Sequence, residues 1–276
     1  MQSGELPGNS GAGRHFSLKN PLCGGHRYSI LADCLNYIIL FRSILQNFAG
    51  IVLLEMCGVQ NQGDAMFEEL NQFNYIDFRA VHDEYDRRLA IGREMNRLLE
   101  KRDARGFAGL ALGIRDGAAN YAASTHQLGP KILRAGRESR VVDLAGRLKD
   151  AENAEAVLLA IRSAGIPWLK IGVGSEMAMM LSPERHWAVN IRTVCWHQLT
   201  IDGDNWKSLA DQKELYARGL ESEIDYSLWE SLFPELRGSL RRLYKLGSMA
   251  ARRTGPDPGD KTYLWADALA SRMFLM

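Results

Sequence analysis

Residues 161–197 read IRSAGIPWLKIGVGSEMAMMLSPERHWAVNIRTVCWH. An apolar helical pattern ends at Ala164-Gly165, a short turn with Pro167 follows, and Gly172-Val173-Gly174 opens a second helix at Ser175. Glycine permits a sharp bend and close approach of the backbone to a ligand. The start of the new helix carries unpaired N–H groups and the positive end of its dipole. Backbone alone therefore makes a phosphate-sized anion site at Gly172–Ser175. Val173 is expected in the hairpin core, and Ala178 lets the two helices pack closely. Downstream, the loop SPERHW leads to the apolar pair Ala188-Val189. Asn190 then stands ahead of the helix IRTVCWH, and asparagine is among the best N-caps.

Working outward, the rest of the chain also reads as helix. From Asp77 to Arg102, Phe78, Val81, Tyr85, Leu89, Met95 and Leu98 recur at three- and four-residue steps, with acidic residues early and basic ones late, which suits the dipole. Ser139–Lys149 and Asn153–Ala164 form an amphipathic pair. Ile224–Phe233 and Arg237–Arg253 read as two helices, and Thr262–Met276 closes the chain as another. Strand-like alternation is scarce. The expectation is an all-α helical bundle of two subdomains: an arm over 1–27, an N-terminal helical subdomain over 28–136, and a C-terminal subdomain over 137–276 that holds the hairpin. The glycines at 106, 109, 113 and 117 follow no β-branched strand and are not a dinucleotide loop.

Composition narrows the function classes. The chain has 276 residues, 46% of them hydrophobic, and a net charge of +1. A core is easily built, and any nucleic-acid surface must be a local patch. The four cysteines (Cys23, Cys34, Cys57, Cys195) match no zinc or iron–sulfur spacing. A reducing, cytoplasmic setting is expected, with no metal and no cofactor. The first residues lack a basic start followed by an apolar stretch, so no signal peptide is expected. The apolar run 35–54 contains Arg42 and Gln46 and reads as a buried helix rather than a membrane span.

The stretch resembles the helix-hairpin-helix DNA glycosylase superfamily. That family has a Gly-apolar-Gly-x-x-x-Ala hairpin, a short helix and loop, an apolar pair, and a catalytic aspartate just ahead of the next helix. Here these are Gly172-Val173-Gly174-Ser175-Glu176-Met177-Ala178, Met179–Leu181, SPERHW, Ala188-Val189 and Asn190. The resemblance covers about residues 153–200. It implies that the hairpin glycines bind a DNA phosphate and that a base is extruded into a pocket between helical subdomains. It places the nucleic-acid contacts at Lys170, Gly172, Val173, Gly174, Ser175, Trp187 and Arg192. It places the catalytic set at Asn190 and Glu176, with Asp202 (or Asp204 or Asp225) as a nearby carboxylate. Two residues depart from the pattern. Glu176 occupies the place of the lysine of bifunctional members, and Asn190 that of the aspartate. A neutral amide is neither a base nor an ion-pair partner for a cationic sugar. Three readings stay open: a binding member without catalysis, another carboxylate in service, or Asn190 as a helix cap only.

Other residues suggest other chemistry. Arg192 and His197 form an Arg-x4-His pattern on a helix, which resembles HEPN-type ribonucleases, also all-α. In those the arginine and histidine act on the RNA phosphate and the 2′-hydroxyl. Arg237, Arg241, Arg242, Lys245, Arg252 and Arg253 give one helix a basic face. Four of these, Arg241, Lys245, Arg252 and Arg253, are placed to track a phosphate backbone; a solvated face with Leu240, Leu243, Tyr244 and Leu246 inward is the plainer reading. Trp168, in the turn, is either a wedge or an anchor. A non-enzymatic helical interaction protein, in which the hairpin is only a tight turn, is the remaining alternative.

Overall fold

The computed structural model describes residues 72–134, 136–202, 223–255 and 257–275. All belong to one compact unit, Val59–Met276. The expected arm 1–27 and the apolar run 35–54 lie outside the described residues. The described chain is all-helical, as expected: α1 (Phe78–Glu100), α2 (Ala104–Ala111), α3 (Tyr121–Thr125), α4 (Leu128–Ile132), α5 (Glu138–Asp150), α6 (Ala154–Ala164), α7 (Ile171–Leu181), α8 (Ile191–Asp202), α9 (Glu223–Thr254) and α10 (Thr262–Phe274). No described helix is long and apolar enough to cross a membrane.

Local chemistry sets the helix starts. Asp77 caps α1 by accepting from the backbone N–H of Arg79 and Ala80, Asp103 caps α2 from Gly106, and Asn153 caps α6 from Ala156. Each satisfies donors that the first turn cannot pair internally. α1 then buries Val81, Tyr85, Ile91, Met95 and Leu98 along one face.

α7 is the centre of the bundle. It touches α1, α3, α5, α6, α9 and α10, and all eleven of its residues are buried. The sequence explains why: IGVGSEMAMML carries one charge in eleven residues, and a helix that is apolar all round must be enclosed. Its glycines are packing residues. A Cβ on Gly174 would lie 2.5 Å from Ile161 Cδ1 of α6, and one on Gly92 of α1 would lie 2.6 Å from the Met180 carbonyl oxygen of α7. At Gly92 the obstacle is backbone, and at Gly174 the Ile161 side chain would have to shift.

Elements from both sides of residue 136 share this core: α1 packs on α7 and α10, and α2 on α5. α9 is one helix where two were expected. Pro234 sits inside it, which removes one backbone donor without ending the helix.

Candidate functional site

The turn between α6 and α7 is 165–170, and α7 already begins at Ile171. The anion site expected at Gly172–Ser175 is therefore inside a buried first turn. A Cβ on Gly172 would meet Ala122 Cβ at 3.5 Å, the Val189 carbonyl oxygen at 3.6 Å and Trp229 at 3.7 Å. A phosphate has no room there, and a carbonyl oxygen already faces that space. Val173 is in the core, as expected. Its carbonyl accepts from Asn120 Nδ2 at 2.9 Å. Ser175 Oγ donates to the Gly172 carbonyl and accepts from Val189 N–H. Lys170 is the half-buried residue that precedes the helix, and its side chain does not cap it.

The structure does bring Glu176, Asn190 and Arg192 together, in a sealed polar cluster that also includes Arg88 of α1 and Asp267 of α10. Asn190 organises it. Its Oδ1 accepts from the backbone N–H of Arg192 (3.0 Å) and Thr193 (3.2 Å), so it caps α8 as expected. Its Nδ2 donates to Glu176 Oε1 at 2.6 Å and to Asp267 Oδ1 at 3.2 Å. Arg192 Nη2 donates to Asp267 Oδ2 at 3.0 Å and lies 3.4 Å from Glu176 Oε1. Its guanidinium carbon stands 4.2 Å from the Tyr121 ring centroid. Arg88 pairs with the same Asp267 oxygen. Glu176 Oε2 accepts from Ala122 N–H at 3.2 Å. Glu84, at the rim, is shared by Arg192 and Arg272 at 3.7 and 3.6 Å.

The cluster has the charge composition of a reactive site and the enclosure of a core. Burial pushes the Glu176 carboxyl above its ordinary range, against the pull of Arg192 and Arg88. Burial also pushes Asp267 upward, but Arg192 and Arg88 outweigh it and hold that carboxyl low. Two neighbouring carboxylates driven apart in this way would suit an acid–base pair. Glu176 and Asp267 are, however, 0% and 1% exposed. The cavity beside Arg192, lined by Cys195, Trp196, Leu199, Ala270, Met273 and Phe274, measures about 10 Å³, room for a single water at most. What the cluster does chemically is join α1, α3, α7, α8 and α10 through charge. A buried pair adds little over a well-packed apolar core, but removing one partner leaves a costly buried charge.

The remaining expected residues fall elsewhere. Trp187 is not a stacking surface: it is buried, its Nε1 donates to the Phe233 carbonyl at 2.6 Å, and it packs on Phe233 and Tyr263. Asp202 is the last residue of α8; its side chain and those of Asp204 and Asp225 lie outside the described residues. Arg192 and His197 do not form a ribonuclease pair. Arg192 turns to Glu176 and Asp267, while His197 Nδ1 meets Ser239 Oγ of α9 at 2.8 Å. Both are buried, and burial lowers the His197 pKa to about 4.

Sequence reasoning missed Arg88 and Asp267. Each is a charge on the apolar face of its helix, and that misplacement was the available signal. Among the described residues, no group of three or more His, Cys, Asp or Glu is placed to hold a metal ion. A depression of about 790 Å³ between the start of α1 and the end of α9 is lined by Asp77, Arg79, His82, Asp83 and Asp257 among others; it contains none of the expected site residues.

The basic face of α9 is open. Arg237, Arg241, Arg242, Lys245, Arg252 and Arg253 are exposed, while Leu236, Leu240, Leu243, Leu246 and Ala250 face the core. Arg237 is steadied by the Tyr263 hydroxyl at 3.4 Å and lies 5.9 Å from the Trp187 ring centroid. Arg241, Lys245, Arg252 and Arg253 make no ion pair with a described residue.

No protein-family model, curated protein or solved structure matches the chain.

Proposed function

We propose that the protein binds nucleic acid through its phosphate backbone and that the exposed face of α9 makes the contact. The observation that carries this reading is the row of four exposed cations, Arg241, Lys245, Arg252 and Arg253, without ion-pair partners among the described residues. They span about 18 Å of helix at 1.5 Å per residue. Arg241, Lys245 and Arg252 line one side of it, since they recur close to whole turns, and Arg253 flanks that row about a third of a turn away. On a chain whose net charge is only +1, this is a concentrated patch rather than a global excess. The reading keeps the nucleic-acid partner that the resemblance implies and assigns it to a different surface. Cleavage is not part of it, because Glu176, Asn190 and Asp267 already satisfy one another inside the core.

Fluorescence anisotropy on labelled duplex DNA tests it. Four phosphate contacts give a slope of log affinity against log salt of about −3.6. Affinity then falls about 150-fold between roughly 50 and 200 mM salt. Arg241→Glu with Lys245→Glu should reduce the slope by about 2. Salt-independent binding, or a double variant that binds like the parent, removes the basis of the reading.

A further inference from the structure

The turn between α6 and α7 holds a feature that its packing does not require. Two of its residues adopt the left-handed conformation: Gly165 with φ 54° and Trp168 with φ 68°. Glycine does so without strain, whereas a bulky side chain does so against a steric penalty. Such strain persists where the surroundings enforce it and concentrates at sites of function. The indole does not anchor the turn. Ile166 and Leu169 do that, each buried, with Leu169 N–H donating to the Ile166 carbonyl at 3.2 Å. Trp168 is 46% exposed.

Two cations stand at the turn. Lys131 Nζ of α4 stands 5.1 Å from the indole centroid, a cation–π distance. Arg140 of α5 donates to the Ala164 carbonyl at 2.7 Å and the Gly165 carbonyl at 3.4 Å, which fixes an exposed guanidinium against the turn. Glu230 of α9 is paired with Arg162 of α6. That pair also sets the end of α6 beside α9, seven residues, or about 10 Å of helix, before the basic face begins at Arg237.

We propose that the exposed indole of Trp168 is a stacking platform for an unstacked nucleobase, with Lys131 and Arg140 beside it for the adjoining phosphates. The partner is single-stranded nucleic acid. An aromatic plane flanked by cations is how sequence-tolerant single-strand binding is built, because every base has a π face and every nucleotide a phosphate. The inference rests on the nucleic-acid reading and specifies the form of the ligand.

Anisotropy titrations of the full chain test it, with a labelled oligothymidylate of about 20 nucleotides and the same strand in duplex form. Trp168→Ala should weaken single-strand binding about tenfold and leave duplex binding nearly unchanged, and Trp168→Phe should retain most of the affinity. Arg241→Glu with Lys245→Glu should weaken both. If Trp168→Ala changes neither while the double charge reversal weakens both, the stacking proposal is overturned and the nucleic-acid reading stands. If the parent binds neither strand form, both are overturned. A Trp168-dependent capture of polyglutamate with no capture of oligothymidylate points to an acidic protein partner and also overturns the proposal. Trp168→Gly separates structure from binding: with the left-handed strain relieved, its melting temperature should hold or rise. A fall of several degrees makes the indole a structural anchor and overturns the proposal.

Discussion

Asn190→Asp restores the carboxylate that the resemblance implies at this position, and the structure gives the consequence. The amide oxygen caps α8, a task that an aspartate keeps. The amide nitrogen is different: it is the donor shared by Glu176 Oε1 at 2.6 Å and Asp267 Oδ1 at 3.2 Å. An aspartate replaces that donor with an acceptor and sets a third carboxylate against two. Losing two hydrogen bonds to charged acceptors costs about 3–6 kcal/mol. The other route is protonation. Keeping the new carboxyl neutral at neutral pH means raising it about 3 units above its usual 3.9, which costs about 4 kcal/mol. The two routes agree on about 4 kcal/mol, a large share of the roughly 5–15 kcal/mol that holds a domain together. Urea unfolding followed by circular dichroism, over about pH 5 to 8, measures it. The sign follows from linkage: a folded-state pKa raised above the unfolded value means that the folded variant binds the extra proton. The deficit is complete above the folded pKa and shrinks by about 1.4 kcal/mol per unit as pH falls toward the unfolded one. A variant as stable as the parent, or a deficit that does not change with pH, refutes the hydrogen-bond assignment. The account also expects no gain of glycosidic activity in this variant.

Three further outcomes follow from particular contacts. Gly174→Ala forces a Cβ to within 2.5 Å of Ile161 Cδ1 and should cost about 1–3 kcal/mol by overpacking. Adding Ile161→Val, which deletes that methyl, should recover part of the loss, and thermal melts of the double variant should show non-additivity. Asp267→Asn leaves Arg88 and Arg192 without their shared buried counter-ion and should cost about 3–5 kcal/mol in urea unfolding. His197 has a folded pKa of about 4 against an ordinary 6.5. Its contribution is therefore present above about pH 6.5 and is lost as pH falls toward 4, about 3 kcal/mol in all. His197→Gln should flatten the acid limb of the stability profile by that amount.

Much of the fold was legible because it is written locally. The helix starts at Asp77 and Asn153, the cap at Asn190, and the three- and four-residue recurrence over α1 need no distant partner to be read. The glycines were read for the wrong physical reason. A bare backbone at a helix start serves a phosphate or a close helix crossing equally well, and Ile161 and Val189, which decide between them, meet α7 only in the folded chain. Glu176 was noticed as a residue out of pattern, but its meaning lies in Asp267 and Arg88, each about ninety positions away along the sequence. The visible signal was that Glu176 is the sole charge in an otherwise apolar helix, which marks a buried ion that needs partners. Two helices were expected over 224–233 and 237–253, yet one helix continues through Pro234, held by the apolar residues on both sides that face one core.

Closed packing at the glycines of α7 and nucleic-acid contact at α9, as proposed, make opposite demands on the backbone amides of the two helices. Amide hydrogen exchange of the full chain, with and without a bound oligonucleotide, tests both most directly. The expected result is slow exchange across residues 171–181 that the nucleic acid does not change, and new protection confined to 237–253 and the turn at 165–170. Fast exchange at Gly172–Ser175 in the free protein that becomes slow on binding would return the phosphate site to the hairpin and contradict it.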